Sequence, residues 1–178
     1  MYQSESNFHF RVMAFMYKFR DFFFPRRNIL EEVGIQPGFH VLDYGCGPGS
    51  YVIPLAELVG RAGRIHALDV HPHAIQMVQD IARRKRLKNV ETILSDCKTG
   101  LPDKSMDAVL LYDTFHDLSD PDGVLTELHR VLKPNGFLSF IDHHMKKNEI
   151  ASRVTERELF KLSKEGKRTF LFSKEDSD

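Results

Sequence analysis

Cysteine is scarce. Cys46 and Cys97 are the only two in 178 residues, too few for a disulfide framework and too few to hold zinc without other ligands. Net charge is missing as well: 25 Lys and Arg balance 25 Asp and Glu, so no overall field calls for nucleic acid or an acidic partner. No apolar run approaches the roughly 20 residues of a membrane span. The Phe- and Met-rich start is broken by Arg11, Lys18, Arg20 and Asp21 and lacks the apolar core of a secretory signal. Repeats, low-complexity tracts and long linkers are lacking too. Together these absences predict a cytoplasmic protein with a single well-buried core.

What is present is periodicity. Phe8, Val12, Phe15, Met16, Phe19, Phe22 and Phe23 recur at offsets of three and four, which predicts a helical arm over residues 1–25. Such an arm either packs on the domain, closes over a site as a lid, or lies on a membrane surface. The main domain is then 26–178, opening with a short helix through Val33 that Gly34 stops. Apolar runs bounded by turn residues predict strands at Phe39 to Tyr44, Arg64 to Asp69, Val90 to Leu94, Met106 to Tyr112 and Phe137 to Asp142. Between them, helical stripes start near Ser50, at Pro72 and at Pro121, and Asn148 is placed to cap another that runs to about Arg157. The connection after Val90 to Leu94 is too short for a sizeable helix. Lys133-Pro134-Asn135-Gly136 reads as a turn, and the end of the chain as a hairpin, Leu159 to Leu162 and Thr169 to Phe172 around Glu165-Gly166. Strands alternating with helices make a parallel α/β sheet.

The chemistry gathers at the strand ends. Val41-Leu42-Asp43-Tyr44-Gly45-Cys46-Gly47-Pro48-Gly49-Ser50 is a buried strand, an acid, three alternating glycines and a helix start. Backbone approaches a ligand closely where no Cβ intervenes, and the first helical N–H groups are open to bonding. A dinucleotide site wants Gly or Ala where Ser50 stands, which counts against a nicotinamide-dependent oxidoreductase. Asp69 follows the loop by about twenty residues, the spacing of an acid that holds a ribose diol; it is equally placed to cap the helix at Pro72.

Val41 to Ser50 resembles motif I of the class I S-adenosylmethionine-dependent methyltransferases. Further segments are similar to that family in order: Ala67-Leu68-Asp69-Val70, Ser95-Asp96-Cys97, Val109 to His116, and Arg130-Val131-Leu132-Lys133-Pro134-Asn135-Gly136. In the last, Asn135 replaces a glycine, a residue type that tolerates a left-handed backbone. The nearest likeness is to the UbiE-like and methyltransferase-11-like enzymes. That resemblance implies a Rossmann-like, mixed seven-stranded sheet with an antiparallel C-terminal hairpin and helices on both faces.

It also implies S-adenosylmethionine as cofactor, with roles for individual positions. Gly45, Cys46 and Gly47 line its methionine part through their backbone, Asp43 sits near the ammonium and Asp69 takes the ribose. Val70 and Cys97 flank the adenine, Asp96 meets its amine, and Gly49 and Tyr112 are further cofactor-binding positions. The implied acceptor is small or lipid-like; with no long insertion to roof it, either the aromatic arm closes the acceptor site or the site is open to a large partner or the neighbouring subunit of a homodimer. His116 is the candidate base, since imidazole titrates near neutrality; its other reading is a lining histidine with no proton transfer. Asp113, Asp142 and His143 stand roughly where catechol-type relatives place metal ligands, yet solvated polar groups at a strand end explain them as well, and no metal is assigned. A module that binds the cofactor without chemistry of its own is the remaining alternative.

Overall fold

The structure is a computed structural model that describes residues 26–175; the arm expected over residues 1–25 lies outside the described residues. Five helices and seven strands follow in order: α1 (Arg26–Glu32), β1 (His40–Tyr44), α2 (Val52–Val59), β2 (Arg64–Asp69), α3 (Pro72–Lys85), β3 (Val90–Leu94), β4 (Met106–Tyr112), α4 (Pro121–Val131), β5 (Leu132–Ile141), α5 (Lys147–Thr155), β6 (Phe160–Glu165) and β7 (Phe170–Lys174). One sheet orders them β3-β2-β1-β4-β5-β7-β6. The first five pair in parallel, and β7 runs antiparallel between β5 and β6. This is the Rossmann-like mixed sheet that the resemblance implied.

The twofold alternation of β1 sets the layers. Val41 packs with Ile29, Leu30, Leu55 and Val59 from α1 and α2. Leu42 and Tyr44 face the opposite side, with Val124, Leu125 and Leu128 of α4 and Ile150 and Val154 of α5. Helices therefore cover both faces, as a buried parallel sheet requires. Asp43 lies in register with Val41, so its carboxylate is carried on the α1–α2 side.

Local rules place the helix starts. Pro72 and Pro121 occupy first turns, where the missing N–H costs nothing, and the Asp120 carboxylate accepts from the Gly123 N–H at 2.9 Å. Pro54 also falls in the first turn of α2, which removes its conflict with a helix. In α5 the structure departs from expectation. The cap is Lys146, not Asn148, because Glu149 reaches back to accept the Lys146 N–H at 3.2 Å, and the helix stops at Thr155.

A second departure concerns residues 133–136. The expected turn is absorbed into β5, which begins at Leu132. Met106 pairs with Leu132 but Ala108 pairs with Phe137, so Asp107 alone stands opposite the four residues 133–136 and the surplus is taken up as an irregularity inside the strand. Asn135 accordingly does not use the left-handed backbone that its side chain would tolerate.

Candidate ligand site at the strand ends

The strand order reverses between β1 and β4, and at that point, outside the carboxyl ends of the strands, lies a cavity of about 340 Å³. Ligands of α/β sheets bind at such switch points, and the volume is in the range of small-molecule sites. The glycine loop after β1 forms one wall. Gly45 and Cys46 both donate to the Leu68 carbonyl, at 2.8 and 2.9 Å, which ties the loop to β2. Gly45 has φ +76°, and a Cβ there would collide with Thr114; the loop and the β4 end can touch only because this residue is glycine. Gly47, φ +50°, has open space where its Cβ would be, and that space belongs to the cavity. Gly49 does not line the cavity; a Cβ there would stand 3.1 Å from Val78 and Ile81, so its missing side chain lets α3 pack close.

Asp69 does two jobs at once. Oδ2 accepts from the Gly47 N–H at 2.9 Å and Oδ1 from the His71 N–H at 2.8 Å, so it braces the loop and turns the chain into α3. Each oxygen has a second lone pair, and the residue lines the cavity, so bracing and ligand binding are compatible. Asp96 and Val70 line the cavity as well, Val70 more than half exposed, and the Tyr44 hydroxyl fixes the β3 end by donating to the Asp96 carbonyl at 3.0 Å. Cys97 instead packs against the core beneath α4. Burial pushes the Cys46 and Cys97 thiols up, so neither is a ready nucleophile. Tyr112 lines the cavity with its hydroxyl 2.7 Å from Ser139 Oγ, and burial pushes its phenol up too.

Asp43 is the electrostatic centre. It is 2% exposed, lines the cavity, and its Oδ2 has no hydrogen-bond partner among the described residues. Burial first and the Asp69 charge second push its carboxyl from 3.8 up to about 7. An isolated buried carboxylate is costly; a cation delivered by a ligand would remove the cost.

The β4–β5 side is a histidine–carboxylate lattice. Asp142 is fully buried, and its Oδ2 accepts from the His116 backbone N–H at 3.1 Å and lies 2.9 Å from His116 Nδ1. Its Oδ1 accepts from the His144 N–H at 3.0 Å, and the His144 ring lies over that of His116 at 4.1 Å. Asp113, at φ 51°, pairs with His143 Nδ1 at 2.6 Å. Among the described residues, no three His, Cys, Asp or Glu groups are set to hold a metal ion. His116 itself does not line the cavity; Thr114 and Asp117 beside it do.

Sequence reasoning missed three contributors. Arg26 and Tyr51 line the cavity from α1 and the start of α2, and no spacing rule marks either. Asp142 as the partner of His116 had a weak signal, since both follow strands expected to be neighbours.

A family profile described as a methyltransferase domain matches residues 35–172. The demethylmenaquinone methyltransferase of Geobacillus stearothermophilus is 30% identical over 129 residues, 72% of this chain and 55% of the relative. That of Listeria monocytogenes is 32% identical over 118 residues, 66% and 50%. The chain thus spans about half the length of the curated relatives it matches. Among solved structures, a SAM-dependent methyltransferase from Aquifex aeolicus superposes with a TM-score of 0.76 at 29% identity, covering 90% of this chain and 97% of that one.

Proposed function

The chain belongs to the methyltransferase-domain family, among the class I S-adenosylmethionine-dependent methyltransferases, and from that premise we propose that it transfers a methyl group from S-adenosylmethionine to a small, lipid-like acceptor. The observation that carries the reading is the unpartnered Asp43 oxygen beside the glycine loop and Asp69. A buried acid without a partner, a wall with no Cβ at Gly47 and a second acid at the β2 end suit a ligand with an ammonium group, a close-packed middle and a ribose. Asp43 would hold the ammonium, the Gly45–Gly47 backbone the methionine chain, Asp69 the ribose, and Val70 and Asp96 the adenine.

When bound, S-adenosylmethionine supplies an electrophilic methyl group on a sulfonium. The protein's part is placement and one proton. Placement of two reactants supplies up to roughly 7–11 kcal/mol of the barrier, and the braced loop and the β4 end provide the rigid walls. For a hydroxyl or enol acceptor, His116 Nε2 takes the proton. Asp142 lies against Nδ1 at 2.9 Å and Asp117 against Nε2 at 3.3 Å; with Nδ1–H given to Asp142, Nε2 is the acceptor and Asp142 stabilises the imidazolium once formed, the logic of a base with its orienting carboxylate. The relatives' names point to a quinone-like ring as the acceptor, and we carry that class over as the substrate proposal. Residues 1–25 enter the proposal as the lid, because the connections after β5 and β6 are short.

Thermal unfolding with S-adenosylmethionine, S-adenosylhomocysteine and NAD tests the cofactor. Ligand at 100 times its Kd stabilises by about 2.7 kcal/mol. Stabilisation by the two adenosyl ligands is expected; stabilisation by NAD alone would overturn the reading. Methyl transfer from labelled cofactor to a demethylmenaquinol tests the acceptor class.

A further inference from the structure

The ends of β4 and β5 exchange the same contact twice. Asp142, after β5, accepts with Oδ2 from the His116 backbone N–H at 3.1 Å and lies 2.9 Å from that ring's Nδ1. Asp113, after β4, accepts with Oδ1 from the His143 backbone N–H at 2.9 Å and lies 2.6 Å from that ring's Nδ1. Each strand end thus supplies one carboxylate and one imidazole, and each carboxylate holds the other end's histidine by backbone and ring together. Tying two loops needs only the backbone contact. The ring contact adds a fixed imidazole: with Nδ1–H given to the carboxylate, Nε2 is left as a hydrogen-bond acceptor. His143 Nε2 has no partner among the described residues, and its side chain is 69% exposed. Asp113 lines the cavity, so His143 stands one carboxylate away from it. Asp113 reaches the histidine from a left-handed backbone, φ 51°, of the kind that recurs at functional sites.

The proposed base, His116, accounts for one of these two imidazoles. Methyl transfer to a hydroxyl or enol releases a single proton, so a second oriented imidazole is surplus to an acceptor with one oxygen. We propose that His143, aimed by Asp113, accepts a hydrogen bond from a second hydroxyl of the acceptor, so that the site selects a ring diol, the reduced form of a quinone, over a ring with one hydroxyl. This rests on the acceptor reading above. One proton leaves the acceptor and passes to His116; His143 gains a hydrogen bond and no net proton. His143 is then a specificity residue and Asp113 its positioning residue, where a purely structural exchange would have both only join β4 to β5.

The two roles separate by methyl transfer from labelled S-adenosylmethionine, measured without oxygen, to three acceptors: 1,4-naphthalenediol, 4-methoxy-1-naphthol, in which one hydroxyl is capped, and 1-naphthol, which lacks it. Wild-type kcat/KM for the diol should exceed that for either of the others by about tenfold, the value of one hydrogen bond. His143→Ala should lower kcat/KM for the diol by about tenfold and for the other two by less than about twofold, so that the preference disappears. His143→Gln, whose side-chain carbonyl still accepts, should fall between. Asp113→Asn should reduce the preference in the same direction. A wild type indifferent to the second hydroxyl, or an equal loss across all three acceptors in His143→Ala, overturns the assignment. Transfer to none of the three by a protein that still binds S-adenosylhomocysteine would overturn the ring acceptor and the assignment with it, a result distinct from either.

Discussion

Replacing Asp43 by Asn should make the ligand-free protein more stable and the liganded protein worse. The carboxyl is fully buried and pushed from 3.8 up to about 7 by desolvation first and by Asp69 second. A raised folded-state pKa means that the folded chain holds its proton over a range where the unfolded chain has lost it. The group's stabilising contribution is complete below pH ~4 and fades as pH rises through 7. Three units at 1.36 kcal/mol each set an upper bound of about 4 kcal/mol for the cost of the charged form at pH 8; relaxation and water entry reduce it. Half of that bound, about 2 kcal/mol, corresponds to roughly 4–8 °C in Tm for a chain of this length. Asn has the same shape and never ionises, so Asp43→Asn should raise the ligand-free Tm at pH 8 by several degrees and at pH 5 by less than half as much.

Ligand binding should respond with the opposite sign. A ligand ammonium at Asp43 favours the carboxylate, so binding expels a proton below pH 7 and affinity falls by up to about tenfold per pH unit there. In Asp43→Asn that dependence should vanish, with S-adenosylhomocysteine weakened by about tenfold or more at pH 8. Thermal scans of both proteins from pH 5 to 8.5, with and without S-adenosylhomocysteine, read all of this. An Asn variant less stable than wild type at pH 8, or one that keeps the wild-type slope of affinity with pH, would refute the reasoning.

Other perturbations separate walls from chemistry. His116→Ala should cut methyl transfer to a demethylmenaquinol by about 100-fold or more with S-adenosylhomocysteine affinity nearly unchanged; lost affinity with intact turnover per complex would remove the base assignment. Asp142→Asn should lower kcat and shift its pH profile, while a purely structural Asp142 would change Tm alone. Gly45→Ala forces a Cβ into Thr114 and should cost about 1–3 kcal/mol in urea unfolding. Gly47→Ala meets open space, so it should cost only about 1–2 kcal/mol of backbone strain but fill the cavity and weaken S-adenosylhomocysteine. Removing residues 1–25 should slow turnover without abolishing the folded domain's thermal transition; loss of that transition would assign the arm to packing.

The fold was legible where physics is local. The bounds Arg64–Asp69, Val90–Leu94 and Met106–Tyr112 match the expected strands, because each is a short apolar run between residues that cannot continue it. Residues 133–136 were misjudged for the opposite reason. Lys-Pro-Asn-Gly has turn chemistry, yet β4 pairs on both sides of it, and pairing with a neighbouring strand is not written in the local sequence. The site divides in the same way. Asp43, Gly45, Gly47 and Asp69 sit within one strand–loop–helix–strand unit, and their spacing carries the message. His116 and Asp142 are separated by 26 residues, and Arg26 and Tyr51 by 25, so both pairs exist only after strands and helices have packed.

That division has an energetic counterpart. The glycine loop and Asp69 are satisfied without ligand, since Leu68, Gly47 and His71 use their hydrogen bonds; this half folds as a finished structure and can be read as one. Asp43 is the unfinished part among the described residues, a buried acid whose charged form the ligand-free protein disfavours. A chain selected for stability alone would place a neutral residue there. Keeping an acid in that position lowers ligand-free stability increasingly from about pH 4 to 7, a cost that the proposed cation would remove. The unpartnered oxygen is therefore stronger support for a cationic ligand than the glycines beside it, which any close-packed loop would also use.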